Sequence, residues 1–379
     1  MKRRSASEGS IFHRPDGRWE ARMQVGYRGG SRLRKSYYGR TRREVQDKLV
    51  AAQRALQLGV VPVDERQRVG DYLQWWLLDK KSTVRASTWA SYEGIVRLHL
   101  IPSLGRVPLA KLTPGHVNAL LTEKLAQGLS SRRVQYIHAV IRHALTQAVR
   151  LEIVSRNVAV QVTPPRVKQY QVRPLTEDEA RRLLQAAKGE RFEALYVLSV
   201  CTGLRQGEAL ALQWADLDLD TAELAIRGSL QRINGSLVIA EPKTERSRRT
   251  VKLPQLAVEA LRVHRRRQGE DRLKAGSKWQ DHGFIFATAK GTPFDASGVT
   301  RDFHALLAKA GLPRVRFHDL RHTSATLMMV NGVHPRTVME ILGHSQIGLT
   351  MNTYSHVTPS LMADAADRLD LLLGRDKAS

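Results

Sequence analysis

Two linkers that contain proline divide this chain into three segments, and the segments differ in the period of their apolar residues. The linkers cover residues 59–68 and 163–174. Proline lacks a backbone N–H and fixes φ, so neither stretch fits the interior of a helix or a central strand. The division predicts three domains in a chain of 379 residues, at 1–61, 66–165 and 173–379.

The first segment alternates between apolar and polar residues, which is the period of half-buried strands. Asp16-Gly17 marks a turn between the first two of three short strands within residues 9–40. Thr41 is followed three residues later by Glu44, and this capping box begins a helix that runs to about residue 57. The segment predicts a three-stranded sheet followed by one helix.

The second segment has the period of amphipathic helices, and it predicts four of them. The clearest has Thr113 as its cap, Pro114 at its first position and Gly128 just past its end. The others begin at Val69, at residue 87 or 88 and at Ser131, and the last two end near residues 100 and 151.

The fourth of these helices separates apolar from basic residues. Its apolar face holds Val134, Ile137, Ile141, Leu145 and Ala148. Its other faces are predicted to hold Arg132, Arg133, His138, Arg142 and Arg150. This pattern predicts a bundle that is apolar inside and basic outside.

The third segment mixes helices with short strands. Thr176 and Glu179 form a capping box that opens its first helix. Strands are predicted at residues 223–230, 236–241 and 249–253, with residues 242–247 as the turn between the last two. The chain as a whole is predicted to be multidomain and mainly α. Its predicted parts are a sheet with one helix, a four-helix domain and a mixed α+β domain.

The chain is strongly basic, with a formal charge of +25. Residues 1–61 carry fifteen Lys and Arg against five Asp and Glu, so +10 lies there and +15 is left for the other 318 residues. An excess of this size favours a polyanionic partner, with nucleic acid ahead of a membrane surface.

The chain is expected to be neither exported nor membrane-spanning. No run of 18 apolar residues occurs, and the basic residues 2–4 are not followed by an apolar signal core. The single cysteine, Cys201, rules out an internal disulfide. It lies in an apolar run, where a small core residue is expected rather than a reactive thiol.

Five short motifs hold residues that can bind or attack a phosphate. Each one alone also has an ordinary structural interpretation. In order along the chain they read Thr202-Gly203-Leu204-Arg205, Pro242-Lys243-Thr244, His318-Asp319-Leu320-Arg321-His322, Leu342-Gly343-His344-Ser345 and Asn352-Thr353-Tyr354-Ser355-His356.

The ordinary interpretations differ between the motifs. Arg205 follows a helix-breaking glycine and could simply pair with Glu208, while Lys243 could be a solvated residue at a hairpin tip. His318 and Arg321 share one face at the start of a helix. His318 and His322 could instead bind a metal, but position 319 lacks the glutamate of the zinc-protease motif and no third ligand is evident, so no metal is predicted.

Taken together, the five motifs resemble the catalytic set of the tyrosine recombinases, the phage integrase family. The resemblance implies that Tyr354 is a nucleophile that forms a 3′-phosphotyrosyl bond with DNA. It implies that Arg205 and Arg321 clamp the scissile phosphate, with Lys243 as general acid. It further implies that His318 assists as general base and that His344 hydrogen-bonds the phosphate.

The resemblance extends to the other two domains. The sheet and helix at residues 1–61 resemble an arm-type DNA-binding domain, in which Arg32, Arg34 and Lys35 would face DNA. The helices at 66–165 resemble a core-binding domain that clamps the duplex. On that domain Arg132, Arg133 and Arg142 are the predicted DNA-binding residues.

The function implied is that of a site-specific integrase of a temperate phage or an integrative element. It would act without a cofactor in the cytoplasm of a bacterial host, associated with the nucleoid. It would bind attachment sites in double-stranded DNA and work as a homotetramer through a Holliday junction. A host DNA-bending protein and an excision-directing factor are implied partners. A type IB topoisomerase and a non-catalytic sequence-specific DNA-binding protein remain the alternatives.

Overall fold

The structure is a computed structural model that describes residues 9–28, 31–57, 66–168, 170–241 and 248–343. The chain separates into two compact units, residues 1–169 and 170–379. The first unit holds both of the first two predicted domains, so the three-domain division remains a prediction. No helix within the described ranges combines the length and the apolar character that crossing a bilayer requires.

The first unit begins with the predicted three-stranded antiparallel sheet, in the order β1-β2-β3. The backbone N–H of Glu44 donates to Thr41 Oγ1 over 3.2 Å, which confirms the predicted cap. A small core that includes Met23 and Leu49 joins the sheet to the helix. The elements are β1 (Ser10–His13), β2 (Trp19–Arg28), β3 (Ser31–Gly39) and α1 (Arg42–Gln57).

The helical part of this unit follows the predicted order. The backbone N–H of His116 donates to Thr113 Oγ1, and Gly128 has a φ of +84° just past the helix end. The predicted second helix contains a wider π turn at residues 96–100 and continues past its expected end near residue 100 through residues 101–104. The helices are α2 (Val69–Lys81), α3 (Ala86–Ile95), α4 (Ile101–Leu104), α5 (Pro114–Ala126) and α6 (Ser131–Arg150).

The two faces of α6 are nearly as predicted. The five apolar residues named above are all buried. The prediction for His138 was wrong, since it is 4% exposed and its ring is hydrogen-bonded to the carbonyl oxygen of Ala159 at 2.8 Å. The reason is helical geometry: residue 138 lies four positions after Val134 and three before Ile141, which places it on the buried stripe.

The second unit is built around α8, whose Leu195 and Leu198 are completely buried. The capping box of Thr176 and Glu179 opens the first helix, as predicted. Burial raises the pKa of the Cys201 thiol to about 11, in agreement with its predicted place in the core. The helices are α7 (Glu177–Ala187), α8 (Glu193–Thr202), α9 (Gln206–Leu210), α10 (Gln255–Ala275), α11 (Ala296–Lys309), α12 (Asp319–Val330) and α13 (Pro335–Leu342).

The strands of the second unit form two small sheets within the described residues, and their pairing differs from the prediction. One sheet has the order β4-β5-β8 and the other is the pair β6-β7. The predicted single strand at residues 223–230 is two strands, broken at Arg227 and Gly228. The strands are β4 (Leu217–Asp218), β5 (Glu223–Ile226), β6 (Ser229–Ile233), β7 (Ser236–Ala240) and β8 (Arg249–Lys252).

The predicted pairing of the last two strands was wrong in the described residues, because each pairs with an earlier strand. Asn234 and Gly235 both have positive φ, +50° and +85°, which is the conformation of a tight two-residue hairpin turn. That turn pairs β6 with β7, and β8 pairs with β5. Residues 242–247, which include Lys243, lie outside the described residues.

Candidate active site and nucleic-acid interface

Three of the six predicted catalytic residues lie in the described part of the chain, all in the second unit. They are Arg205, His318 and Arg321. Lys243, His344 and Tyr354 lie outside the described residues.

Arg205 occupies the position just before α9, in the turn that follows α8. The turn depends on Gly203, whose φ is +62° and at which an added Cβ would lie 2.3 Å from Cδ2 of Leu342. Arg205 Nη1 donates to Glu208 Oε1 over 2.6 Å. The pairing with Glu208 that the sequence left open is therefore present, yet the Arg205 side chain remains 40% exposed. A ligand anion can still reach it.

Arg321 lies in the first turn of α12 and connects that helix to the Arg205 turn. It is only 2% exposed, and its Nη1 donates to the carbonyl oxygen of Gly203 over 3.0 Å. Gly203 lies two residues before Arg205, so this bond brings the two arginines to the same region of the fold.

His318 immediately precedes α12 and lies near both arginines. His318 is an exposed residue, while partial desolvation and then the charge of Arg321 lower its pKa. Arg205 also contributes to lowering the pKa of His318. An imidazole whose pKa lies below its ordinary value is neutral near pH 7 and can accept a proton.

His322 packs beside His318, one helical turn further along α12. The ring centroids are 5.5 Å apart and the planes meet at 87°. The pKa of His322 is lowered to about 4, chiefly by burial and next by the neighbouring His318. In the part of the chain that the structure describes, these residues form no cluster of three or more His, Cys, Asp or Glu that could hold a metal ion.

Asp319 holds the start of α12 in place, a role that was not among the predictions. It is completely buried. It accepts hydrogen bonds from Arg316 Nη2 at 2.8 Å and from the Tyr170 hydroxyl at 2.7 Å. The Arg316 guanidinium also lies 3.7 Å from the centre of the Tyr170 ring. An acidic residue in the first helical turn with an arginine three positions before it was the available signal.

Replacing Asp319 with alanine is expected to lower the free energy of unfolding by about 2–3 kcal/mol, because a buried, charge-assisted hydrogen-bond acceptor is lost. The measurement is urea denaturation followed by circular dichroism. Asp319→Asn, which keeps the size and one acceptor oxygen, is the matched control and should lose less. An alanine variant as stable as the wild type would contradict this role.

The predicted DNA-binding arginines of α6 line a single groove of the first unit. Arg132, Arg133 and Arg142 border an opening of about 930 Å³ together with Tyr136 and His143. Clustered guanidinium groups favour contacts with the phosphates of a nucleic acid. The other predicted DNA-binding residues lie on β3, and they are Arg32, Arg34 and Lys35. Their side chains lie outside the described part.

Comparison with known sequences identifies the family. The phage integrase family pattern matches residues 173–360, and the pattern of the N-terminal SAM-like domain of phage integrases matches residues 69–125. The tyrosine recombinase XerC-like protein of Caldanaerobacter subterraneus subsp. tengcongensis is 30% identical over 361 residues, which cover 90% of this chain and 92% of the relative. An integrase of Streptomyces ambofaciens is also 30% identical, and the match covers 100% of this chain and 99% of the relative.

Comparison with solved structures shows the same fold. The Tn1549 transposon integrase in complex with a circular intermediate DNA matches with a TM-score of 0.66 and 22% identity, over 80% of this chain and 99% of that one. A lambda integrase tetramer bound to a Holliday junction matches with a TM-score of 0.57 and 18% identity, over 89% of this chain and 95% of that one. Fold and sequence therefore agree: the chain belongs to the phage integrase family and is a site-specific tyrosine recombinase, an integrase.

Proposed function

We propose that this integrase cleaves and rejoins duplex DNA at attachment sites through a transient 3′-phosphotyrosyl bond to Tyr354, and so integrates and excises a phage or an integrative element. One observation carries the proposal. The bond from Arg321 to the Gly203 carbonyl brings two arginines together beside a histidine of lowered pKa. This is the arrangement that a phosphodiester under attack requires.

The proposed cleavage step exchanges one phosphate ester bond for another. The Tyr354 oxygen attacks the phosphorus, the bond from phosphorus to the 5′-oxygen breaks, and a 3′-phosphotyrosine and a 5′-hydroxyl result. A tyrosine hydroxyl has an ordinary pKa near 10, so its proton needs an acceptor. His318 takes that role in the proposal, since its lowered pKa keeps the ring neutral. Rejoining reverses the step and needs no ATP.

The arginines would stabilise the negative charge that develops on the two nonbridging oxygens. Arg205 and Arg321 each offer several N–H donors of fixed geometry, which suits an oxyanion better than a single ammonium group does. His344 would add a further hydrogen bond to the same phosphate. In the proposal these side chains carry the charge stabilisation that a metal ion supplies in other nucleases.

Lys243 is proposed to protonate the departing 5′-oxygen. Replacing it with alanine should slow cleavage of ordinary DNA by about 10²–10⁴-fold, the usual contribution of a general acid. A 5′-phosphorothiolate substrate should restore the rate, because a thiolate leaves readily without a proton. Single-turnover cleavage of both substrates by the wild type and by Lys243→Ala measures this. A variant that stays slow on the phosphorothiolate would remove Lys243 from the general-acid role.

DNA binding is proposed to involve all three predicted domains. In this scheme residues 1–61 form an arm-type domain that includes Arg32, Arg34 and Lys35, and residues 66–165 form the core-binding domain. The groove lined by Arg132, Arg133 and Arg142 would contact backbone phosphates, which position a protein on DNA without reading its sequence. Residues 173–379 would form the catalytic domain.

The active assembly is proposed to be a homotetramer that holds two duplexes and exchanges strands in pairs. The similarity to the lambda integrase tetramer bound to a Holliday junction supports this proposal. Arm-type binding would call for a host protein that bends DNA and for a factor that directs excision. The place of action would be the nucleoid of a bacterial host.

The proposed function is tested by strand exchange between two short duplexes that carry matched attachment sites, without ATP or added metal. Recombinant duplexes that join the two partners are the expected product. A protein that joins no partners in this assay, but relaxes a supercoiled plasmid in a parallel one, would be a topoisomerase. A protein that binds the sites and cleaves neither duplex would be a non-catalytic DNA-binding protein. Either of these results would overturn the proposal.

A further inference from the structure

A second arginine of the catalytic unit shares the carboxylate that binds Arg205. Arg249, the first residue of β8, places its Nη2 3.1 Å from Glu208 Oε2. The other oxygen of the same carboxylate accepts the bond from Arg205. Arg249 and Glu208 are almost enclosed, with side chains 8% and 7% exposed. Glu208 therefore links an exposed arginine of the candidate site to a buried one behind it.

The same guanidinium also contacts the end of α13. Arg249 Nε donates to the carbonyl oxygen of Ile341 over 2.7 Å. At Gly343, whose φ is +67°, an added Cβ would lie 2.8 Å from Arg249 Nη1. The chain thus leaves α13 in contact with this guanidinium, one residue before His344.

The place of Arg249 along the chain adds a third connection. β8 begins at Arg249, immediately after the stretch that holds Lys243. One buried side chain thus contacts the partner of Arg205 and the end of α13, on a strand that begins six residues after Lys243 in the sequence.

Electrostatics indicates that Glu208 is ionised beside Arg249. Burial by itself raises the pKa of Glu208, but the guanidinium groups of Arg249 and Arg205 outweigh it and hold that pKa below its ordinary value. A buried ion pair adds little net stability compared with well-packed apolar side chains. Its value here lies in geometry, because a bonded guanidinium fork fixes the orientation of every group that it contacts.

We infer that Arg249 is a positioning residue for strand cleavage: it holds Glu208, and through it the Arg205 guanidinium, in place for the scissile phosphate, and it also holds the end of α13. The inference rests on the proposed function. Arg249 itself is too enclosed to bind DNA, so its effect passes through the groups that it holds.

The test compares Arg249→Lys with the wild type on a nicked suicide duplex at saturating protein. Lysine keeps the positive charge beside Glu208, but one ammonium group cannot reproduce the fork that reaches both Glu208 and the Ile341 carbonyl. We expect the single-turnover cleavage rate constant to fall about 10²-fold, the usual effect of a small misplacement of catalytic groups. DNA affinity and melting temperature should stay near those of the wild type.

Arg262→Lys is the matched control. Arg262 also contacts a carboxylate and a backbone carbonyl, those of Asp220 and Leu219, but its side chain is 52% exposed and lies on α10. This variant should cleave at the wild-type rate. Cleavage by Arg249→Lys at that same rate would overturn the inference.

A neutral phosphate gives a second readout that a purely structural role would not change. A methylphosphonate at the scissile position removes the negative charge that the clamp must stabilise. The ratio of the wild-type rate constant to that of Arg249→Lys should therefore shrink towards one on this substrate. Each protein is assayed on both substrates from one preparation, so incomplete folding of the variant cancels when the two substrates are compared. An equal defect on both substrates would overturn the inference.

Different results would contradict the proposed function and the role of Arg249. If the wild type forms no adduct through Tyr354, the proposed function fails and this inference fails with it. If the wild type forms that adduct and Arg249→Lys forms it equally fast, only the inference fails.

Discussion

Replacing Tyr354 with phenylalanine is expected to abolish the covalent protein–DNA adduct while leaving DNA affinity essentially unchanged. Phenylalanine keeps the ring and removes only the hydroxyl oxygen that is proposed to attack the phosphorus. Affinity for DNA depends chiefly on contacts between basic side chains and phosphates, and the substitution leaves these in place. Adduct formation is measured on a denaturing gel with a suicide duplex, and affinity by fluorescence anisotropy.

Tyr38→Phe is the matched control, because Tyr38 is 45% exposed and lies in β3 of the other unit. It should form the adduct as the wild type does. An adduct formed by Tyr354→Phe would show that another residue is the nucleophile. A loss of DNA binding by that variant would also count against the assignment.

Replacing Arg321 with lysine is expected to lower the cleavage rate constant by about 10²–10³-fold, the effect of losing one preorganised oxyanion donor. Arg321 is almost fully buried, and one of its nitrogens is already engaged by the Gly203 carbonyl. The guanidinium plane is therefore set before DNA arrives, so no reorganisation is needed during reaction. A lysine ammonium keeps the charge but neither the plane nor the second donor.

The measurement is single-turnover cleavage at saturating protein, with Arg301→Lys as the matched control. Arg301 lies on α11 and is exposed, so its lysine variant should cleave at the wild-type rate. Two results would contradict the role of Arg321. One is undiminished cleavage by Arg321→Lys, and the other is a defect that arises entirely from weaker DNA binding.

Local signals in the sequence were reliable where the interaction spans only a few residues. The caps at Thr113 and Thr176 and the helix-ending glycine at position 203 are all present in the structure. In each case a side chain or a φ angle acts on backbone groups within one turn, so the sequence pattern contains the whole interaction.

Strand pairing was harder to predict, because it depends on residues far apart in the chain. The expected pairing of β7 with β8 did not occur in the described residues, where β8 pairs with β5 instead. Asn234-Gly235, a dipeptide typical of tight hairpin turns, is a local signal for the pair β6-β7. His138 was placed on the wrong face, although its spacing from Val134 and Ile141 already indicated burial.

The candidate site shows the same contrast between short-range signals, which the sequence contains, and long-range contacts, which it does not reveal. The motifs singled out Arg205, His318 and Arg321 as candidates, but the bond that brings the two arginines to one region joins residues 118 positions apart. Arg249 could have been found by strand alternation. It shares its parity with the buried Val251 and Leu253, so it faces inward, unlike Arg248. What alternation could not supply was the identity of its partner, Glu208.

The central claim, that Tyr354 forms a covalent bond with DNA, is tested most directly by mapping the adduct of the wild-type protein. A nicked suicide duplex traps the cleaved state, and mass spectrometry of the digested adduct identifies the modified residue. The expected result is a 3′-phosphate carried on Tyr354. A phosphate carried on any other residue, or the absence of an adduct on a duplex that the protein recombines, would contradict the mechanism.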